Sequence, residues 1–312
     1  MSSSSTAVVG IDIGGTKIAA LLVGPDGDVL ARASAPTPVG GEAMFSAAVD
    51  LAEQVAGETT FGALGVGAAG VIDQGTGTVV AASDSFVGWA GFPLGERLEA
   101  KFGVPAAVDN DVNAFLLGEL AWGAARGEKD VLGVMLGTGV GGALVLNGAL
   151  RHGPHGAAGE IGHTPGYGDL VCTCGQTGHL ETRASGRSIA QRYGEAKRTG
   201  DELLTGAQVA DLARAGDPQA LAAFDGAARS LAKACLISAG LLDLSIVVVG
   251  GGVTRAWDLL AGPLSEVLLE SPPVSGAQLS VRRAILGGDA VALGAAASAR
   301  SRNQEAKTRR VS

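Results

Sequence analysis

The 312-residue sequence contains little cysteine and no long apolar stretch. Its three cysteines are too few for the disulfide framework of a small secreted protein. No uninterrupted apolar run approaches the roughly 20 residues of a membrane-spanning helix. The first residues, MSSSSTAVVGID, also lack the basic and apolar segments of a secretory signal. We therefore expect a cytoplasmic protein that has no membrane partner.

Basic residues are also scarce. The sequence has 23 lysines and arginines and 31 acidic residues, so its net charge is -8. Proteins that bind a nucleic-acid backbone usually carry a basic stripe or patch, and none is visible here. We therefore expect no nucleic-acid partner. With 46% hydrophobic and 17% charged residues, the composition excludes disorder of the whole chain. The length fits two domains of ordinary size.

Glycine, in contrast, is abundant, with 50 residues where an average composition would give about 22. Many glycines follow short apolar segments, in runs such as IGG, LGTGVGG and VVGGG, and this pattern predicts tight turns after strands. A succession of strand, glycine turn, strand, hairpin and strand begins near residue 7 and occurs again about 120 residues later. The repeat predicts two related α/β lobes with a cleft between them, each of which contributes a glycine turn.

The predicted strands cover residues 7–13, 17–23, 29–31, 63–69, 105–108, 131–136, 143–146, 150–152 and 246–249. The predicted helices cover residues 42–56, 94–102, 112–122, 218–242 and 290–299. For the longest helix, Asp217 is a good N-cap and Pro218 suits the first helical position. The residues after Ala299 are expected to fray.

Three glycine turns are candidates for binding an anion. In the first, DIGGTK at Asp12 to Lys17, glycine amides and a threonine hydroxyl can face an anion, and the Asp12 carboxylate suits a hydrated metal ion. It is not a Walker A loop, because the spacing GxxxxGK[ST] is missing. The second is LGTGVGG at residues 136–142. The third, Gly250 to Gly252, is placed where its backbone could lie against the base or ribose of a nucleotide. The structural alternatives are a hairpin turn with a satisfied Asp, hairpin packing, and close packing of a strand on a helix.

A polar cluster, DNDVN at residues 109–113, follows the predicted strand that ends at Val108. Polar groups at strand ends lie at the mouth of the cleft in open α/β sheets, and one of these carboxylates could accept a hydroxyl proton as a general base. The alternative is an N-cap of the following helix, a role for which Asp111 is well suited. The two roles are compatible.

The densest group of metal-binding side chains lies between residues 163 and 179. Within 17 residues the sequence supplies two imidazoles and two thiolates, from His163, Cys172, Cys174 and His179. This set fits tetrahedral zinc, which would stiffen a loop with few apolar residues. The alternative is two free thiols and two surface histidines. The third cysteine, Cys235, lies in an Ala/Leu-rich predicted helix and is expected to be a small core residue.

Two carboxylates, Glu160 and Glu181, flank the predicted zinc loop. Carboxylates held beside a rigid metal loop suit bidentate hydrogen bonding of the neighbouring hydroxyls of a sugar. The alternative for both is a charge that faces solvent.

In this order, the motifs DIGGTK, NDVN, LGTGVGG, EIGH and CTCGQTGHLE resemble those of the ROK family of sugar kinases and sugar-responsive repressors. The resemblance extends from about residue 7 to residue 298. It implies an actin-like ATPase fold with a smaller lobe at residues 1–115, onto which a helix at about 290–312 packs back. The larger lobe would cover residues 116–289 and contain the zinc loop 160–181. The family also implies a homodimer or a higher homo-oligomer.

The resemblance further implies transfer of the γ-phosphoryl group of ATP to the 6-hydroxyl of a hexose, with Asp111 as the base that deprotonates this hydroxyl. The implied sugar-binding residues are Gly70, Asp84, Ser85, Asn110, Glu160, His163 and Glu181. The implied contacts to ATP and its Mg²⁺ are Asp12, Gly14, Gly15, Thr16, Lys17, Gly137, Thr138, Gly139, Gly251 and Gly252. The implied ligands of a structural Zn²⁺ are His163, Cys172, Cys174 and His179.

Two departures from the family pattern bear on these expectations. His179 stands where the family usually has a third zinc cysteine, although two cysteines and two histidines still fit zinc. The loop from Ser83 to Trp89 lacks the Asn followed by Trp that is common in the family's glucokinases. Asp84 or Ser85 would then replace that Asn near the sugar.

Glucose is the leading substrate, and the alternatives are N-acetylmannosamine and N-acetylglucosamine. A further hypothesis is a non-catalytic sugar sensor or regulator. The family's repressors carry an N-terminal helix-turn-helix domain, for which the motif at Asp12 leaves no room, and the acidic charge argues against a DNA partner. ATP is preferred over a polyphosphate donor because no basic channel is visible.

Overall fold

The computed structural model describes residues 6–83, 85–197 and 204–311 of the chain. The chain divides into two compact units. The first consists of residues 1–127, 152–157 and 285–312, and the second of residues 128–151 and 158–284. Within the described ranges, no helix combines the length and the apolarity that crossing a bilayer requires.

The first unit is built on a five-stranded mixed sheet. The strands of this unit are β1 (Val8–Ile13), β2 (Lys17–Val23), β3 (Val29–Pro36), β4 (Leu64–Ala68), β5 (Val71–Ile72), β6 (Val79–Ala81) and β7 (Ala106–Asn110). The sheet order is β3-β2-β1-β4-β7, while β5 and β6 pair separately. β1 to β3 form an antiparallel meander, and β4 and β7 continue the sheet in parallel. The central strands are short apolar segments because both of their faces are buried.

Two helices connect these strands, α1 (Gly41–Ala56) and α2 (Leu94–Phe102), and α3 (Asp111–Trp122) follows β7. Apolar side chains of α1 and α2 join those of the sheet in a core that includes Ile11, Met44 and the fully buried Trp89. This core holds the ends of β1 and β7 in place, and these two ends carry the DIGGTK and DNDVN motifs.

The second unit repeats the topology of the first. Its strands are β8 (Val131–Leu136), β9 (Val140–Leu146), β10 (Ala149–Arg151), β11 (Ile246–Gly250) and β12 (Ser280–Arg283). Their order is β10-β9-β8-β11-β12, again an antiparallel meander followed by two parallel strands. The repeat that the glycine turns predicted is therefore present in the fold.

Five helices accompany this sheet: α4 (Glu181–Ala184), α5 (Gly186–Lys197), α6 (Gly206–Arg214), α7 (Pro218–Leu242) and α8 (Trp257–Glu270). α7 has the predicted bounds, because Asp217 accepts hydrogen bonds from the amides of Gln219 and Ala220 and Pro218 occupies the first helical position. Cys235 is fully buried in α7, and burial raises the pKa of its thiol to about 12. It is thus a core residue, as predicted.

The last helix, α9 (Ala290–Val311), belongs to the first unit. It packs closely on α3, because Gly118 and Gly294 leave no room for a side chain between the two backbones. The prediction that the chain frays after Ala299 is wrong, since the helix continues to Val311. Side chains beyond Ala299 anchor it, as Arg300 donates to the Gly24 carbonyl at 2.6 Å.

The boundary of the first unit also differs from the predicted one. A border between residues 115 and 116 would cut α3, whereas the chain first passes into the second unit after Gly127. The segment 152–157 also belongs to the first unit, although the residues before and after it belong to the second. No run of proline or serine marks either crossing in the sequence, so composition gave no signal of them.

Candidate active site and metal centre

The first glycine turn joins β1 to β2 in the first unit. The Gly14 amide donates to the Lys17 carbonyl at 3.1 Å, and the Thr37 hydroxyl donates to the Gly14 carbonyl at 2.6 Å. These bonds fix the turn, while Gly15, Thr16 and Lys17 stay exposed. Within the described ranges, the amides of Gly15 and Thr16 have no hydrogen-bond acceptor. The turn is thus a rigid hairpin that offers two amides, a hydroxyl and an ammonium group to an anion.

Asp12 lies at the end of β1, directly before this turn. Burial and the nearby negative charge of Asp111 raise the pKa of Asp12 to about 7, and Lys17 lowers it in part. The charge of Asp111 therefore acts on Asp12, and the two carboxylates share one electrostatic environment. A hard divalent cation with oxygen ligands would favour the ionised form of the Asp12 carboxylate, so the chemistry of Asp12 fits Mg²⁺.

The DNDVN cluster forms the junction between β7 and α3. The N-cap of α3 is Asn110, whose Oδ1 accepts from the amides of Val112 at 2.9 Å and Asn113 at 3.3 Å. The alternative role of Asp111 as the N-cap is therefore wrong. Asp111 is the first helical residue, and its carboxylate accepts from the Val112 amide at 3.0 Å.

Gly70 and Asn110 lie together, because Nδ2 of Asn110 donates to the Gly70 carbonyl at 3.0 Å. Next to them, Asp109 is buried, and one of its carboxylate oxygens accepts from Gln74, Asn113 and the Asn110 amide. The sequence named the DNDVN cluster but not Gln74. Of the two aspartates in this cluster, Asp109 binds the surrounding groups of the junction, whereas Asp111 lies half-buried at the edge of the junction.

The loop that follows β6 contains the expected sugar contacts Asp84 and Ser85. Asp84 lies outside the described residues. Ser85 is exposed, and its hydroxyl lies 3.0 Å from that of Ser83. Trp89 ends the loop in the core of the first unit, where its Nε1 donates to the Ala69 carbonyl at 3.1 Å.

In the second unit, the LGTGVGG turn borders a cavity of about 820 Å³. Three of the predicted nucleotide-binding residues line it, namely Gly137, Thr138 and Gly252. Gly139 and Gly251 are outside the lining, and each has a packing role. A side chain at Gly139 would collide with the Glu181 carboxylate, and one at Gly251, which has a φ of 88°, would collide with the backbone of Leu136.

The four predicted zinc ligands come together in the second unit. One ligand atom from each of His163, Cys172, Cys174 and His179 lies within 4.8 Å of all the others. The two Nδ1 atoms are 3.4 Å apart, Cys172 Sγ is 3.7 Å from Nδ1 of His163, and Cys174 Sγ is 3.3 Å from Nδ1 of His179. Zn–N bonds of about 2.0–2.1 Å and Zn–S bonds of about 2.3 Å in a tetrahedron separate the ligand atoms by roughly 3.3–3.8 Å. The cluster therefore fits zinc in both chemistry and size.

The two flanking carboxylates have different environments. Glu181 is buried, and its carboxylate accepts from the Val140 amide at 3.0 Å and the Thr173 hydroxyl at 2.7 Å. The alternative of a solvent-facing charge is thus wrong for Glu181, which joins the zinc loop to the LGTGVGG turn. Glu160 is exposed and begins the short 3₁₀ turn Ile161–His163, and within the described ranges its carboxylate has no partner.

Comparisons with known proteins agree with these motifs. The sequence profile of the ROK family matches residues 8–302. A glucokinase of Streptomyces coelicolor is 35% identical over 271 residues, which cover 82% of this chain and 85% of that protein. An N-acetylmannosamine kinase of Shigella flexneri is 35% identical over 273 residues, covering 86% and 90%. The crystal structure of a ROK family glucokinase from Streptomyces griseus in complex with glucose and AMPPNP matches with a TM-score of 0.83 at 33% identity, covering 95% of this chain and 99% of that one.

Proposed function

The chain belongs to the ROK family, and on that premise we propose that it is an ATP-dependent glucose kinase that phosphorylates the 6-hydroxyl. The observation that carries the proposal is the cavity of the second unit, which is lined on one part by the LGTGVGG turn and on another by apolar side chains. A cavity of about 820 Å³ lies within the range of small-molecule and cofactor sites. A relative of known structure was crystallised with glucose and AMPPNP.

The lining of the cavity suits a nucleotide. Ile189, Leu204, Phe224 and Val253 contribute apolar surface that can hold a flat base. Gly137, Thr138 and Gly252 contribute backbone groups and a hydroxyl that can face phosphate oxygens. Phosphate contacts are also proposed for Gly14, Gly15, Thr16 and Lys17, and the exposed, rigid hairpin that they form supports this role.

Asp12 would hold the Mg²⁺ that accompanies ATP. Bound Mg²⁺ would neutralise charge on the β- and γ-phosphates during transfer. Burial of Asp12 and the nearby charge of Asp111, which raise the pKa of Asp12 to about 7, support this assignment, because a bound cation would offset both effects.

Asp111 would act as the general base. Its position at the start of α3, outside the buried network of Asp109, leaves its carboxylate accessible enough to meet a hydroxyl. As Asp111 takes the proton of the 6-hydroxyl, the sugar oxygen attacks the γ-phosphorus, the bond to the β,γ-bridging oxygen breaks, and ADP leaves. Most of the rate enhancement would come from positioning and charge neutralisation.

The proposed contacts to the remaining sugar hydroxyls differ in how well the structure supports them. Glu160 supports this role best, because its carboxylate is exposed and has no partner among the described residues. Asn110 retains one Nδ2 hydrogen besides the one that it gives to Gly70. Glu181 reaches a sugar only with an oxygen that also bonds Thr173 or Val140, so its first task is to order the loop. His163, Gly70 and Ser85 complete the proposed set.

Zinc, held by His163, Cys172, Cys174 and His179, would have a structural role. Its ligands are two residues from the loop 172–174 and one from each side of it, so bound Zn²⁺ would join three parts of the chain. Through His163 it would also fix the 3₁₀ turn that begins at Glu160.

The alternative substrate is N-acetylmannosamine, because a kinase of that sugar has the same 35% identity to the chain as the glucokinase. A coupled ADP-release assay with ATP and Mg²⁺ separates the two, with glucose, mannose, N-acetylglucosamine and N-acetylmannosamine as acceptors. We expect the highest kcat/KM with glucose. A preference for an N-acetyl sugar would contradict the proposed glucose kinase and support a kinase of that N-acetyl sugar. Sugar binding without ADP release for any acceptor, in folded protein that contains zinc, would instead support the sensor hypothesis.

A further inference from the structure

We propose that Arg187 binds the polyphosphate part of the nucleotide in the cavity of the second unit. The sequence motifs did not single out this residue, and its role rests on the proposed function as an ATP-dependent kinase. Arg187 lines the cavity together with Gly137 and Thr138 of the glycine turn. It is the second residue of α5, directly after Gly186.

The start of α5 is attached to the glycine turn. The Gly186 amide donates to the Gly137 carbonyl at 2.9 Å, and a Cβ on Gly186 would lie 3.2 Å from that same oxygen. On the other side, Ser185 Oγ accepts from the Ser188 amide at 3.1 Å. The backbone that carries Arg187 is therefore held against the turn that would cradle the phosphates.

The charges along the cavity point to an anion. Among its lining residues, three arginines stand against one carboxylate, that of Asp211, in a chain whose net charge is -8. Arg214 is occupied, because it bonds both carboxylate oxygens of Asp258 at 2.9–3.0 Å and Asp211 at 3.2 Å. Within the part of the chain that the structure describes, the guanidinium groups of Arg187 and Arg255 have no hydrogen-bond or ion-pair partner.

Arg187 is the better placed of these two arginines. It lies in the first turn of α5, where the helix dipole is positive and no acidic residue is present. The positive charge of Arg187 is repelled by the positive end of the α5 dipole. A bound polyphosphate would offset this repulsion, because its negative charge is attracted both to Arg187 and to the start of the helix. Arg255 lies in the 3₁₀ turn Gly252–Ala256, and only its carbonyl is tied, to Arg214. The guanidinium fork of Arg187 can bond two phosphate oxygens at once.

Calorimetric titration of the full-length protein with ATP, ADP and adenosine, each with Mg²⁺, tests the proposal. We expect Arg187→Ala to weaken ATP and ADP binding about tenfold or more, as the loss of a charge-assisted bidentate contact implies. Adenosine binding should stay within about twofold of wild type, because adenosine lacks the phosphates. Arg187→Lys keeps the charge but loses the fork, so its affinity for ATP and ADP should lie between that of wild type and that of Arg187→Ala. Arg283→Ala removes an exposed arginine of the same unit outside the cavity lining and should leave all three affinities unchanged.

An equal loss of affinity for adenosine would overturn the proposal, because it would mean that Arg187 shapes the cavity and does not contact phosphate. Unchanged affinity for ATP and ADP in Arg187→Ala would overturn it as well, while the proposed kinase function would stand. Wild-type protein that binds neither ATP nor ADP would overturn the kinase function itself. The wild-type titration thus separates failure of the function from failure of the Arg187 assignment.

Discussion

Oδ2 of Asp109 lies 2.8 Å from Nε2 of His152, and both residues belong to the first unit. Asp109 is buried at the end of β7, whereas His152 lies in the segment 152–157, which belongs to the first unit between two stretches of the second. The imidazole donates to the one carboxylate oxygen of Asp109 that the groups around β7 leave open. The pair therefore fastens a distant segment of chain to the strand that ends beside Asp111.

Replacing His152 should destabilise the protein. In His152→Ala, the buried Oδ2 of Asp109 loses its donor, and an unsatisfied buried acceptor costs about 1–3 kcal/mol. We expect a lower Tm in thermal unfolding followed by circular dichroism. The control is His155→Ala, because His155 is an exposed histidine in the same segment. Equal Tm values for the two variants would contradict a stabilising role of the bond between Asp109 and His152.

Much of the fold follows from local features of the sequence. The segments Val8–Ile13, Val131–Leu136 and Ile246–Gly250 form strands because each is a short apolar run that ends at glycine or a turn. α7 begins at Pro218 because Asp217 caps it. The zinc ligands could be named because their chemistry and their close spacing in the chain are both visible in the sequence.

The features that sequence could not supply depend on contacts between distant residues. The return of segment 152–157 to the first unit brings His152 to Asp109, from which it is 43 residues distant in the chain. Asn110, the N-cap of α3, also donates from its side-chain amide to the Gly70 carbonyl, which is 40 residues distant in the chain. The burial of Glu181 likewise follows from the approach of Val140, which is 41 residues away.

The cap of α7 should make stability depend on pH. The pKa of Asp217 is lowered from 3.8, first by its bond to Lys197 and then by the amides of Ala220 and Gln219. A carboxylate with a lowered folded pKa stabilises the protein above its unfolded pKa, and this contribution is lost as the pH falls through the folded pKa. Asp217→Ala should therefore lower the Tm at pH 7, and its difference from wild type should shrink below about pH 4. A difference that is constant down to pH 2.5 would contradict this account.

Cys172→Ser should remove the zinc and lower the Tm. Serine is a poor ligand for zinc, and the remaining ligands no longer complete the tetrahedron. Elemental analysis of purified protein gives the zinc content directly. Cys235→Ala is the matched control, since Cys235 is buried in α7 and lies outside the cluster. Full zinc occupancy in Cys172→Ser would refute the site.

His179 should be a zinc ligand even though the family usually has cysteine at this position. Its Nδ1 lies 3.3 Å from Cys174 Sγ and 3.4 Å from Nδ1 of His163. Both distances agree with the separation of ligand atoms around one tetrahedral zinc ion. His179→Ala should therefore lose zinc on dialysis against a chelator, whereas His179→Cys should retain it. His155→Ala again serves as the control. Retention of zinc by His179→Ala would mean that the other three residues suffice.

Asp111→Asn should abolish most of the turnover and leave substrate binding in place. The amide cannot accept the proton of the 6-hydroxyl, and loss of a general base typically costs about 10²–10⁴-fold in rate. The substitution preserves the shape of the first helical position of α3, and the cap by Asn110 does not involve it. The helix should therefore stay intact. We expect a kcat lowered by at least about 100-fold, with glucose affinity by calorimetry near wild type.

The carboxylate of Asp50 gives the control for this experiment. Asp50 is exposed on α1 of the same unit, so Asp50→Asn removes the same charge without touching the end of β7. A kcat for Asp111→Asn close to that of Asp50→Asn would exclude Asp111 as the base. In that case Asp109 would not be the next candidate, because both of its oxygens are already engaged by Gln74, Asn113 and His152. The exposed Glu160, whose carboxylate has no partner within the described ranges, would be tested instead.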